Sequence, residues 1–327
     1  MNRRALAAGA ALAGVVLLSG CVAEVPAPVT SAPEMAEEAA LLAPQTERII
    51  DATMQELAAA DAERDTELLT DRVGGAAVEV REVEYTLAEA EDGPDPTTIP
   101  ADMQAVYVSG ADTWPRTLVG VTEQPSEDVT PVVLLWVQES IEDEYQLRGW
   151  AHMVPGATLP AMPGTSTGAD QLAVDADAVE PTPEQAISDY MDLLREGPDS
   201  DLEEAFGEDS YRERLFAARE TLTDAAEDAD GEYVDTVQSD LEATFAMSTV
   251  DGGALVFAPV EISSSFTVED ATVSIPEEDE PLLDGELDDT VTHEYLDFIV
   301  MYIPGPDEEG LPTVVAAEHT LVAVSDQ

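Results

Sequence analysis

The sequence predicts an α+β fold laid down twice, as two tandem domains that each place helices before a curved antiparallel sheet. Three observations predict it. Apolar residues recur at helical spacing at the head of each half, at Ile50, Met54 and Leu57 and again at Ile187, Tyr190, Met191 and Leu194. Valine-rich segments with strand character fill the rest of each half. A stretch with Pro155, Pro160, Pro163, Gly164, Gly168 and Pro181 separates the halves. The expected boundaries are a leader at 1–20, Cys21 with a tether to 44, a first domain at 45–155, a linker at 156–181 and a second domain at 182–327.

The leader has a charged start, Arg3-Arg4, then an uncharged apolar run from Ala5 to Leu18 and the small residues Ser19-Gly20 before Cys21. That order is a secretory signal, and its apolar run is shorter than the ~20 residues a bilayer span needs. Leu18-Ser19-Gly20-Cys21 resembles the lipobox of bacterial lipoproteins. The resemblance implies that the Cys21 thiol takes a diacylglyceryl group, with palmitate-type acyl chains, and that cleavage leaves Cys21 first. Two acyl chains anchor a protein stably where one does not. Residues 22–44, with Pro26, Pro28, Pro33 and Pro44, read as a tether that reaches at most ~70 Å.

In the first domain a helix is expected from about Thr46 and a second, short one over Asp61–Leu69, ended by Gly74-Gly75. Ala76–Leu87 is rich in Val and Tyr and reads as a strand. Gly93-Pro94, Pro96 and Pro100 mark a loop. Strands follow at Ala105–Ser109, Arg116–Glu123, Pro131–Val137 and Glu144–Val154. Pro131–Val137 is continuously apolar, as a strand buried on both faces is.

The second domain opens on Thr182-Pro183-Glu184-Gln185, where an N-cap, a first-position proline and a capping-box glutamine agree. Gly197-Pro198 stops that helix, and Tyr211, Leu215 and Leu222 mark another. From Glu232 the period changes to two. Leu241, Ala243 and Phe245 alternate, Asp251-Gly252 signals a hairpin, and Val256, Val260, Ile262, Phe266 and Val268 share one parity. Residues 276–289 form an acidic loop before two long strands, Tyr295–Ile303 and Thr313–Val324.

Composition narrows the function classes. The 327 residues carry 71 acids against 12 bases, a formal net charge of −59, and every base is arginine. Nucleic-acid binding needs clustered basic residues and is excluded, and an anionic membrane surface repels such a chain. With 44% apolar residues in patterned segments, the chain has the means to fold.

No catalytic set is legible. Gly164-Thr165-Ser166-Thr167-Gly168 has the letters of a nucleophile elbow, yet Pro160-Ala161-Met162-Pro163 stands where the strand belongs. His152, His293 and His319 lie far apart, and Asp297 occupies the position a metalloprotease helix gives its second histidine. Asp228-Ala229-Asp230-Gly231 alternates like a calcium loop, but Ala226 and Val237 fall where its first and last carboxylates belong. No lysine exists for a phosphate-binding loop. No metal or cofactor is expected. The candidate ligand residues are Trp114, Arg116, Trp136 and Trp150, an aromatic set in the first domain, with Arg72, Arg81 and Arg148 as further cations for an anion.

Arg72-Val73-Gly74-Gly75-Ala76, Arg81, Tyr85, Trp114-Pro115-Arg116, the Pro131–Val137 strand and Met153-Val154-Pro155-Gly156-Ala157-Thr158-Leu159-Pro160 together resemble an uncharacterised actinobacterial envelope-lipoprotein family, a domain of unknown function. The resemblance covers roughly residues 45–220. It implies anchoring outside the cytoplasm and carries no activity. The helix-then-sheet order is also similar to the cystatin-like and NTF2-like folds, which fixes no function. The expected protein is a lipid-anchored, non-catalytic accessory or interaction module of the cell envelope, held to the membrane through Cys21 and meeting an envelope protein partner. A small-molecule or anion binder using a pocket in the first domain is the alternative, and an envelope hydrolase the third reading.

Overall fold

The computed structural model describes residues 38–91, 93–126, 128–268 and 271–326; the leader, Cys21 and most of the tether lie outside them. The first helix, α1 (Ala43–Glu63), starts earlier and ends later than expected. Pro44 sits in its first turn, where its missing N–H costs nothing, and Ile50, Leu57 and Ala60 form the buried face. The short helix expected over Asp61–Leu69 shrinks to a 3-10 turn at Thr66–Leu68. Residues at the end of the expected tether already pack: Ala39 bridges Gly110, and Leu41 joins the core.

Ala76–Leu87 is not a strand. It is α2 (Ala76–Glu89). Its buried residues Ala77, Val80, Arg81, Tyr85 and Ala88 follow helical spacing, and Glu79, Glu82, Thr86 and Glu89 lie on the exposed side. Here tertiary burial overrides the strand preference of valine and tyrosine. Gly75, expected to end a helix, instead starts this one, at φ +58°.

The strands then come largely as read: β1 (Met103–Val108), β2 (Arg116–Thr122), β3 (Val132–Gln138) and β4 (Gln146–Met153). The linker yields a short strand, β5 (Gln171–Leu172), before α3 (Pro183–Glu196) and α4 (Ser210–Asp228). Thr182 Oγ1 accepts from the Gln185 N–H at 3.2 Å, but the Gln185 side chain donates to Asp189 at 2.6 Å and leaves the capping box half made. The second half continues through β6 (Gly231–Ser239), β7 (Phe245–Ser248), β8 (Ala254–Val268), β9 (Leu283–Asp284), β10 (Thr290–Ile303) and β11 (Thr313–Ser325). Leu241 and Ala243, read as part of a strand, lie in the bend before β7.

All eleven strands belong to one curved, unclosed sheet in the order β1-β2-β3-β4-β11-β10-β8-β7-β5, with β6 on β8 and β9 on β11. Pairing is antiparallel except for β9 on β11. β8 serves two neighbours in turn, β7 along Ala254–Phe257 and β6 along Val260–Val268, with Pro259 at the changeover. The two halves meet where Met153 and His152 of β4 pair Ala316 and Ala317 of β11.

The expected tandem domains therefore share a sheet, and they also share a core. One apolar cluster lies under α1 and α2 and another under α3 and α4. A third joins Val119, Val133, Leu135 and Val137 to Leu255, Phe257, Phe298 and Val300. Strand β3 is buried on both sides, and a strand of that kind needs a layer beyond its own helices. The second half supplies that layer. Gly149 of β4 makes room for it: a Cβ there would lie 2.5 Å from the Phe298 ring.

Candidate functional site

Alternation along β10 aims His293, Tyr295, Asp297, Ile299, Met301 and Ile303 at the same face of the sheet. The last three belong to the core under α3 and α4. Asp297 is fully buried at the border of that core. Beyond it the face opens into a cavity of about 570 Å³ between α4 and the ends of β6, β8 and β10. That volume lies within the ~300–1,000 Å³ of ordinary ligand sites.

The cavity is lined largely by apolar groups, among them Leu222, Phe266, Val268, Val273, Ile275 and Val291. Polar groups converge at one side: Tyr233, Ser264, Asp279, His293 and Tyr295. The parity that puts Val256, Val260 and Ile262 of β8 into the core continues into Phe266 and Val268, so the cavity is the open end of the core face.

Tyr295 lies between two imidazoles. The His319 ring is 4.3 Å away and inclined by 15°, and the His293 ring is 6.4 Å away and inclined by 21°. His319 Nδ1 sits 2.8 Å from Asp297 Oδ1, and the Tyr211 hydroxyl of α4 donates to Asp297 Oδ2 at 2.5 Å. Burial raises the Asp297 pKa, with the hydrogen bonds from His319 and Tyr211 opposing it. Burial, reinforced by Asp279, Asp235 and Asp297, pushes the Tyr295 phenol up to about 12, so it is a neutral donor at physiological pH.

At the other side His293 Nε2 lies 3.9 Å from Asp279 Oδ2. Burial lowers the His293 pKa against the pull of Asp279, so its imidazole is neutral near pH 7. Burial raises Asp279, with His293 opposing and Glu278 adding to the rise. Arg219 is committed elsewhere: its Nε meets Asp235 Oδ2 at 2.7 Å, and Ser264 Oγ donates to Asp235 Oδ1 at 2.6 Å.

A family model described as a domain of unknown function (DUF8094) matches residues 41–325. The chain belongs to that family. The match takes in both halves of the sheet and the whole cavity. No curated protein matches the chain, and no solved structure does.

Within the DUF8094 domain the sequence-derived ligand residues do not gather. Trp136 is fully buried under α1, its Nε1 donating to Thr53 Oγ1 at 3.1 Å. Trp150 is buried beneath the Arg81 guanidinium, 4.9 Å from its ring centre. Trp114 is partly exposed, with Arg116 4.2 Å above its ring. The arginines are engaged: Arg72 with Glu144 at 3.0 Å, Arg81 with Glu84 at 2.5 Å, and Arg148 with Glu139 at 3.2 Å. Arg116 donates to the Ala111 carbonyl at 2.6 Å. Ser166 lies in a turn closed by Thr167 N–H on Gly164 O at 2.9 Å, and β5 rather than a helix follows. His152 sits at the seam between the halves, 2.6 Å from Glu318. Cys21 lies outside the described residues.

Among the described residues no cluster of His, Cys, Asp or Glu is arranged to hold a metal ion, and no helix is long and apolar enough to cross a membrane. The cavity residues had a signal in the sequence. His293-Glu294-Tyr295-Leu296-Asp297 places three polar groups of one parity on a strand whose next residues of that parity are apolar. What remained hidden was the partner ring from β11, because strand register is not written in either strand alone.

Proposed function

We propose that the protein is a lipid-anchored binding module of the cell envelope, held through Cys21 and taking a small apolar ligand in the cavity between α4 and the sheet. The observation that carries this reading is the cavity of about 570 Å³ at the open end of the core face beneath α4. Well-packed interiors leave few voids larger than a water molecule. An apolar recess with a few converging polar groups is the usual form of a ligand site.

The attachment is argued from the leader. A charge of −59 gives the folded part no electrostatic reason to approach an anionic bilayer, so the diacylglyceryl group would provide the attachment. Cys21→Ser is expected to move the protein from the membrane fraction to the soluble extract; a variant that stays with the membrane overturns the lipid anchor.

The cavity is tested separately. An apolar fluorescent probe is expected to bind the purified chain in a saturable way. Val291→Phe, which fills the cavity from β10, is expected to abolish that binding with a melting temperature close to the parent's. Unchanged probe binding in this folded variant overturns the site.

A further inference from the structure

The cavity combines an apolar body with one carboxylate and several rings. Among its described lining residues there is no arginine, and the only basic side chain is His293. Burial keeps that imidazole neutral near pH 7, so Asp279 faces the cavity with no permanent cation beside it. Asp279 belongs to the turn Glu277–Leu282, where Glu277, Glu278 and Glu280 surround it in sequence. Tyr233, Tyr295 and Phe266 present rings to the same space. A carboxylate with aromatic faces around an apolar recess suits an organic cation: the carboxylate takes the charge-assisted hydrogen bond, and the rings attract the charge through their quadrupoles. An anionic ligand would set its charge against Asp279 with no cation to offset it, and a neutral one would leave that carboxylate without a charged partner.

We infer that the cavity takes a small apolar molecule carrying a single ammonium group, which sits against Asp279 while the rest lies among Phe266, Val268, Ile275 and Val291. This rests on the reading of the cavity as a ligand site. The net charge of −59 works in the same direction, since it raises the local concentration of cations at the surface.

The test uses three probes of one skeleton, a phenylalkylamine, the matching alcohol and the matching carboxylic acid, titrated calorimetrically into the full chain near pH 7. The amine is expected to bind about tenfold or more tightly than the alcohol, and the acid most weakly. Asp279→Asn is expected to bring the amine down to the affinity of the alcohol and to leave the alcohol unchanged. If the alcohol matches the amine in the parent chain, or the amine keeps its advantage in Asp279→Asn, the cation preference is overturned and the cavity reading stands. If none of the three binds, both readings are overturned.

Discussion

Asp297 shows how a single residue decides the character of its surroundings. A buried carboxylate is costly unless its oxygens are satisfied. Here Tyr211 from α4 and His319 from β11 satisfy it, which ties a helix to two strands at the edge of the cavity. Asp297→Ala strands the buried Tyr211 hydroxyl and removes the partner of His319. The expected loss is roughly 1–3 kcal/mol for each donor left without an acceptor. Urea unfolding measures it, and a change below about 0.5 kcal/mol would reduce the cluster to bystanders. Tyr211→Phe, which removes a donor and leaves the acceptor with His319, is expected to cost less. The identity of Asp297 was plain in the sequence, but its partners were not. Tyr211 and His319 lie on other elements, and only the strand register brings His319 opposite Asp297.

At the scale of elements, the signals that proved readable were those with a local cause. Thr182 before Pro183 named the start of α3 because a hydroxyl there satisfies an end N–H that nothing else reaches. Thr182→Ala is expected to lower stability by about 1 kcal/mol, read by thermal or urea unfolding, with the cavity unaffected. Asp251-Gly252 named the hairpin between β7 and β8, and Gly252 does take φ +79° there. Asp251 does more than turn the chain. It accepts from the Gly305 N–H at 3.0 Å and from the Tyr302 hydroxyl, and so fastens its own hairpin to the one joining β10 and β11. The misreading of α2 has the opposite origin. Val78, Val80, Val83 and Tyr85 favour a strand taken one by one, and what makes them helical is the surface that Ala77, Val80 and Ala88 find to pack on. That surface is built by residues far along the chain, so no local window contains it.

For the whole molecule, the halves expected as separate domains share one eleven-stranded sheet, with helices before strands in each. The apolar rear of β3 was visible, and its consequence is the shared core with Phe257 and Phe298. The seam between the halves carries a titratable pair, His152 Nδ1 on β4 and Glu318 Oε2 on β11, 2.6 Å apart. The hydrogen bond that His152 donates to Glu318, together with that carboxylate's charge, raises the His152 pKa, against burial. A raised folded-state pKa gives stability that is fully present below the unfolded value and is lost as pH rises through the folded one. The stability difference between the parent and His152→Gln is therefore expected to be larger near about pH 5.5 than near about pH 8.5. Paired melting curves measure it. A difference that is flat or grows with pH would remove the pair from the seam's energetics.

The placement of the tryptophans has an optical consequence. Trp114, Trp136 and Trp150 all belong to the half built on β1 to β4, whereas the rings lining the cavity are phenylalanine, histidine and tyrosine. Light at the red edge of the protein absorption band excites only the tryptophans, so their emission follows the first half of the sheet. Shorter wavelengths also excite Tyr233 and Tyr295 at the cavity. Tyr85, Tyr107 and Tyr145 of the first half respond at those wavelengths too, so the half-specific signal is the tryptophan one, and a compound seated in the cavity is expected to leave it unchanged.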